Sequence, residues 1–199
     1  MLIFTRQEIE EQRAGRNKST AVDHAYIDSA AYRRKFDRIS DHLGLNRLLY
    51  QLAKEMLKHR SGTLFEDMYW IDPKTIKVVA KETDSAAEGQ IVYSKRTREI
   101  VVQNENLITI HSHPNSFPPS ISDINSNYAN KYLAGIIACH DGRIYLYQSA
   151  EEISEDYYKL TVAEYLKRGY TEDEAQRRTW EELKEKFDVL VKEVADYDV

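Results

Sequence analysis

Apolar residues recur at three- and four-residue steps from Leu45 through Leu48, Leu49 and Leu52 to Met56, and the pattern stops at Gly62. That spacing lines one face of a helix, and a glycine just past the last turn marks its end. LNRLLYQLAKEMLKHRSG is therefore predicted to be an amphipathic helix. Beyond it the period changes. TLFEDMYWID, KTIKVVAKE, NLITIHSH and LAGIIACHDGRIYLYQ are rich in aromatic and β-branched residues and read as strands. Asp72-Pro73 and Asp141-Gly142 supply the turns of two hairpins. QIVYSK and REIVVQ fit strands or a short crossover equally well, and DSAAEG is a loop. ISDINSNYANKY reads as a helix after the strand that Pro114 ends.

From Glu151 the pattern is helical again. Gly169 separates two helices, and Thr171 with Glu174 forms a capping box at the start of the second. Trp180, Leu183, Phe187, Leu190 and Val194 form an apolar stripe expected to continue that helix and pack on the domain. The order helix, strands, helix, strands, helices predicts an α/β (α+β) domain, a mixed β-sheet sandwiched by helices. Residues 1–40 are expected to be a helical arm, 41–150 the main domain and 151–199 a C-terminal helical extension.

The 199 residues suit one domain with extra helices, and an apolar content of 42% supplies a core. A net charge of −5 argues against general affinity for nucleic acid or an anionic membrane. RRKFDRIS, the densest basic patch, reads as a solvated helix face. No apolar run approaches the ~18 residues of a membrane span. The opening residues turn charged too early for a leader peptide. One cysteine, Cys139, excludes an internal disulfide and a multi-cysteine zinc cluster. It reads as a small core residue in a reducing, cytoplasmic setting, and His140 beside it as structural.

HSHPNSFPPSISD, residues 111–123, carries the chemistry. On a strand His111 and His113 point to one side, roughly 6–7 Å apart along the backbone. In the plainer reading Ser120 and Asp123 are a helix cap and nothing more. In the other, the proline-rich loop returns Asp123 to the histidines as a third ligand while Ser120 caps alone. Two imidazoles and a carboxylate suit zinc, and three protein ligands leave a position open for catalysis. Spacing alone leaves both readings standing. A hydrolytic zinc also needs a base, and Glu66, Glu82, Glu88, Glu99 and Glu105 lie upstream. Glu66 stands apart, because its neighbours in TLFEDMYWI are apolar and aromatic. A buried carboxylate needs a partner or a task.

At these residues the chain resembles the JAMM (MPN-plus) zinc metalloprotease family, whose pattern is a glutamate, then H-[ST]-H, then S-x-x-D. The likeness spans roughly residues 43–148, and the looser likeness of the flanks is to bacterial and phage-associated members. It implies a JAMM/MPN-like (cytidine-deaminase-like) core and one catalytic Zn2+ held by His111, His113 and Asp123. Glu66 would be the base, and Ser120 would help to hold the oxyanion. The segment PNSFPP between His113 and Ser120 is one residue shorter than the commoner family spacing. The implied activity is hydrolysis of a peptide or isopeptide bond in a polypeptide, with a ubiquitin-like or other protein tail as one form of substrate. Some relatives in the wider fold lack the ligands and act as scaffolds, so a non-catalytic scaffold or a structural protein of a phage or mobile element is the competing expectation.

Overall fold

In the computed structural model, residues 18–195 are described. The expectations for the first 17 residues lie outside them. Two short helices, α1 (His24–Ile27) and α2 (Ala30–Phe36), precede the long helix α3 (Leu43–Arg60). Strands β1 (Met68–Asp72) and β2 (Lys77–Glu82) form the first hairpin. Helix α4 (Lys95–Gln103) leads to β3 (Ile108–His113), α5 (Ile121–Ala129), β4 (Ala134–Cys139) and β5 (Ile144–Ser149). Helices α6 (Glu155–Lys167) and α7 (Glu172–Leu183) and strand β6 (Val189–Glu193) close the described chain.

The result is a mixed α/β fold with a six-stranded sheet in the order β2-β1-β3-β4-β5-β6. Every neighbouring pair is antiparallel except β3 with β4, which are parallel. Helix α5 is the crossover that a parallel pair requires. REIVVQ, open between strand and crossover in the sequence, is helical and belongs to α4.

Strand β3 is buried at all six positions because both its faces are covered. Ile108 and Ile110 meet Leu45, Leu49, Leu52 and Met56 of α3 on one side. On the other, Ile121 and Ile124 of α5 pack with Ile137, Cys139, Tyr145 and Tyr147. Alternation along the strand therefore sends His111 and His113 to the α5 face, as the sequence pattern requires.

Three sequence expectations are corrected. The apolar stripe after Trp180 is not one helix. Helix α7 ends at Leu183, and Val189–Glu193 pairs antiparallel with β5 as the sheet's edge. The stripe is split between layers: Trp180, Leu183 and Phe187 pack on the α5 side, Val194 packs on the α3 side, and Leu190 is exposed. The β-branched valines of VLVKE suit a strand, and β5 offers them an unpaired edge. Second, RRKFDRIS is not wholly solvated. Lys35 is buried and its Nζ donates to the carbonyl of Gly142 at 3.0 Å. Residues 20–36 join the main core through Val22, Ile27, Tyr32 and Phe36. Third, Glu66 lies two residues ahead of β1 and not within the strand.

Candidate metal centre

The site forms where β3 ends and α5 begins. Helix α5 starts at Ser120 through a capping box: Asp123 N donates to Ser120 Oγ at 3.2 Å, and Ser120 N donates to Asp123 Oδ2 at 2.7 Å. This folds the loop back, so the first turn of α5 faces the two histidines. The positive end of the helix also favours a carboxylate there.

His111, His113 and Asp123 converge, as the second of the two readings of the spacing required, with one donor atom from each within 4.8 Å of the others. The two Nε2 atoms are 3.0 Å apart. Asp123 Oδ1 lies 3.4 Å from His111 Nε2, and Oδ2 lies 3.5 Å from His113 Nε2. Tetrahedral ligands about 2.0–2.1 Å from one zinc would be spaced by about 3.3–3.4 Å. The spacings lie near those values, with the two Nε2 atoms somewhat closer and a different Asp123 oxygen facing each ring, so the group could hold a metal ion. His113 Nδ1 donates to the Phe117 carbonyl at 2.9 Å, which turns Nε2 into the site, its lone pair free once the ring is neutral. His111 Nδ1 is buried with no hydrogen-bond partner. Its ring is steadied instead by Tyr147, edge-on at 6.3 Å between centroids. That tyrosine fits because Gly135 has no side chain: a Cβ there would stand 2.0 Å from the Tyr147 ring.

Burial opposes charge on both His113 and Asp123, yet their mutual attraction prevails. His113 is held at a pKa of about 9, chiefly by the hydrogen bond and charge of Asp123 against the burial penalty. Asp123 is held well below the usual carboxylate range by the two imidazoles, again against burial.

The ligands stand in a cleft of about 530 Å3, which Glu66 and Ser120 also line. Glu66 is the one of the five upstream glutamates to do so. Glu82 instead accepts from Ser94 N at 2.8 Å ahead of α4, and Glu99 faces Lys95 on the surface. Glu66 is 9% exposed, and its carboxylate has no hydrogen bond or ion pair among the described residues. Burial raises its pKa, with the His113 and His111 charges opposing. Its backbone is fixed by its neighbour. Asp67 N donates to Ser112 Oγ and Ser112 N to the Asp67 carbonyl, both at 3.1 Å. Arg60 Nε donates to Asp67 Oδ1 at 2.6 Å, both side chains fully buried.

The far wall of the cleft is built by α7, through Glu172 and Gln176. No local pattern around residue 172 signals this, since only the tertiary fold brings α7 to the site. Trp180 Nε1 donates to the Pro119 carbonyl at 2.8 Å. Arg143 spans Asp173 at 3.0 Å and the Ser116 carbonyl at 2.7 Å. The helix thus braces the loop that delivers Ser120 and Asp123. His140 is buried outside the cleft, with Nδ1 against the Thr20 carbonyl at 2.7 Å, and Cys139 is core.

No protein-family model matches the chain, and no curated protein or solved structure matches it either. Among the described residues no helix is long and apolar enough to cross a membrane.

Proposed function

We propose that the chain is a zinc-dependent hydrolase that cleaves a peptide or isopeptide bond in a polypeptide, in the manner of the JAMM metalloproteases its motif resembles. The observation that carries this reading is a converging His-His-Asp donor set, one atom from each within 4.8 Å of the others, beside a buried, unpartnered carboxylate in an open cleft. When bound, zinc supplies Lewis acidity and lowers the pKa of a water to about 7. His111, His113 and Asp123 would hold it and leave the cleft side open to substrate. Glu66 takes the proton of the attacking water and returns it to the leaving amine. Burial raises its pKa above the ordinary glutamate value, which favours taking up the proton. Ser120 has a subtler part. Its hydroxyl donates to Asp123 Oδ2 at 2.7 Å, so it orients a ligand first and reaches an oxyanion only by turning away.

The test is hydrolysis of fluorogenic peptides and of an isopeptide-linked lysine substrate by purified, zinc-loaded protein. Activity should vanish with a chelator and return with zinc. A protein that binds one zinc and cleaves neither bond type would leave the scaffold reading in its place.

A further inference from the structure

The charges along the cleft are one-sided. Its lining includes Glu66, Asp123 and Glu172, and among the described residues no lysine or arginine. A divalent ion would be balanced by Asp123 and Glu66, since neutral imidazoles add nothing. Glu172 is then left as the one acid of the lining with no charge partner but the positive end of α7, which offsets it only in part.

Its place is fixed by the fold. Thr171 caps α7, which makes Glu172 the first helical residue. Asp173, next in sequence, is tied to Arg143 at 3.0 Å and to Arg177 at 3.0 Å. Arg143 and Arg177 are thus committed to Asp173, while Glu172 has no ion pair among the described residues. The rest of the polar lining includes neutral groups: Asn115, Ser122, Ser126, Asn130 and Gln176 offer hydrogen bonds without charge. An unpaired acid on the wall of an otherwise neutral cleft attracts a cation and disfavours an anion.

We propose that Glu172 is a specificity-determining residue, selecting polypeptides with lysine or arginine close to the bound bond. This rests on the cleft being a polypeptide site, as argued above. An exposed ion pair is weak, so the preference is a graded one and fades with salt.

The test uses zinc-loaded Glu66→Gln protein, which holds peptide without turning it over. Two labelled peptides of glycine, alanine and serine, one with two lysines and one with two glutamates in their place, are compared by fluorescence anisotropy. The lysine peptide should bind at least about threefold tighter, with the ratio shrinking as salt rises. Glu172→Gln should abolish the preference and Glu172→Lys should reverse it. Equal binding of the two peptides, no binding of either, or a preference that survives Glu172→Gln overturns the proposal. Hydrolysis of the same peptides by protein with Glu66 intact reports separately. Selective binding without cleavage removes the hydrolase and keeps Glu172 as a selector, whereas cleavage indifferent to charge does the opposite.

Discussion

Ser120 and Asp123 share one oxygen between two tasks. Asp123 Oδ2 accepts both Ser120 N and Ser120 Oγ at 2.7 Å, yet the same atom lies 3.5 Å from His113 Nε2. The cap aims the aspartate at the histidines, so capping and the proposed ligation need not compete for it. The shorter PNSFPP loop still delivers the capped turn to the histidines.

Ser120→Ala should therefore damage the metal centre as well as the helix. Loss of the cap is expected to lower stability by about 1 kcal/mol. Loss of the hydroxyl that orients a ligand is expected to weaken zinc binding about 10–100-fold. Melting and a competitive zinc titration read the two effects. Turnover at saturating zinc isolates the oxyanion role, and an unchanged rate there would remove it.

Zinc binding should release a proton. With no metal, His113 is held protonated up to a pKa of about 9, by Asp123 prevailing over burial. Zinc takes only the neutral ring. Its affinity should then fall as pH drops below 9, about tenfold per unit. The same shift stabilises the metal-free protein below about pH 6.5 and is lost as pH rises through 9. Calorimetric titration in buffers of different ionisation heat counts the protons. None released at pH 7.5 would contradict the His113–Asp123 pairing.

Gly135 should be intolerant of any side chain. A Cβ would meet the Tyr147 ring at 2.0 Å, and that ring is 2% exposed with little room to retreat. Gly135→Ala is expected to cost about 1–3 kcal/mol by overpacking and to loosen His111. Adding Tyr147→Leu should recover part of the loss, a coupling that a double-mutant cycle measures. Purely additive losses would mean the clash is relieved elsewhere.

Much of this architecture was legible in the sequence because it rests on local rules. The α3 stripe, the hairpin turns at Asp72-Pro73 and Asp141-Gly142, and the Thr171–Glu174 capping box each follow from a few neighbouring residues. The grouping of His111, His113 and Asp123 was legible only in part: strand alternation aims the two histidines to one side, but the capping pattern at Ser120 and Asp123 fitted a plain helix cap equally well. What stayed hidden depends on partners distant in the chain. VLVKE is a strand because β5 presents a free edge, which nothing near residue 189 announces. Lys35 is buried because Gly142, distant in sequence, turns a carbonyl towards it. Glu172 and Tyr147 reach the cleft only through the packing of α7 and the space left by Gly135.

Glu66→Gln should separate binding from chemistry. Of the five upstream glutamates only Glu66 lines the cleft, and it does so buried and without a partner. The amide keeps its size and removes the proton acceptor. No ligand is touched, and Asp67 still ties the backbone to Ser112. Zinc should therefore stay bound at wild-type stoichiometry while turnover falls at least about 10²-fold, the low end for general acid–base catalysis. Replacing a buried carboxylate that has no hydrogen bond should also leave the melting temperature unchanged or raise it, since a desolvation cost is removed. The control is Glu82→Gln, whose amide oxygen can still accept from Ser94 N, and which should alter neither zinc nor rate. Near-full turnover in Glu66→Gln with zinc in place would put the base elsewhere. Loss of zinc with the activity would instead make Glu66 a fourth ligand, and the site would then be closed and structural.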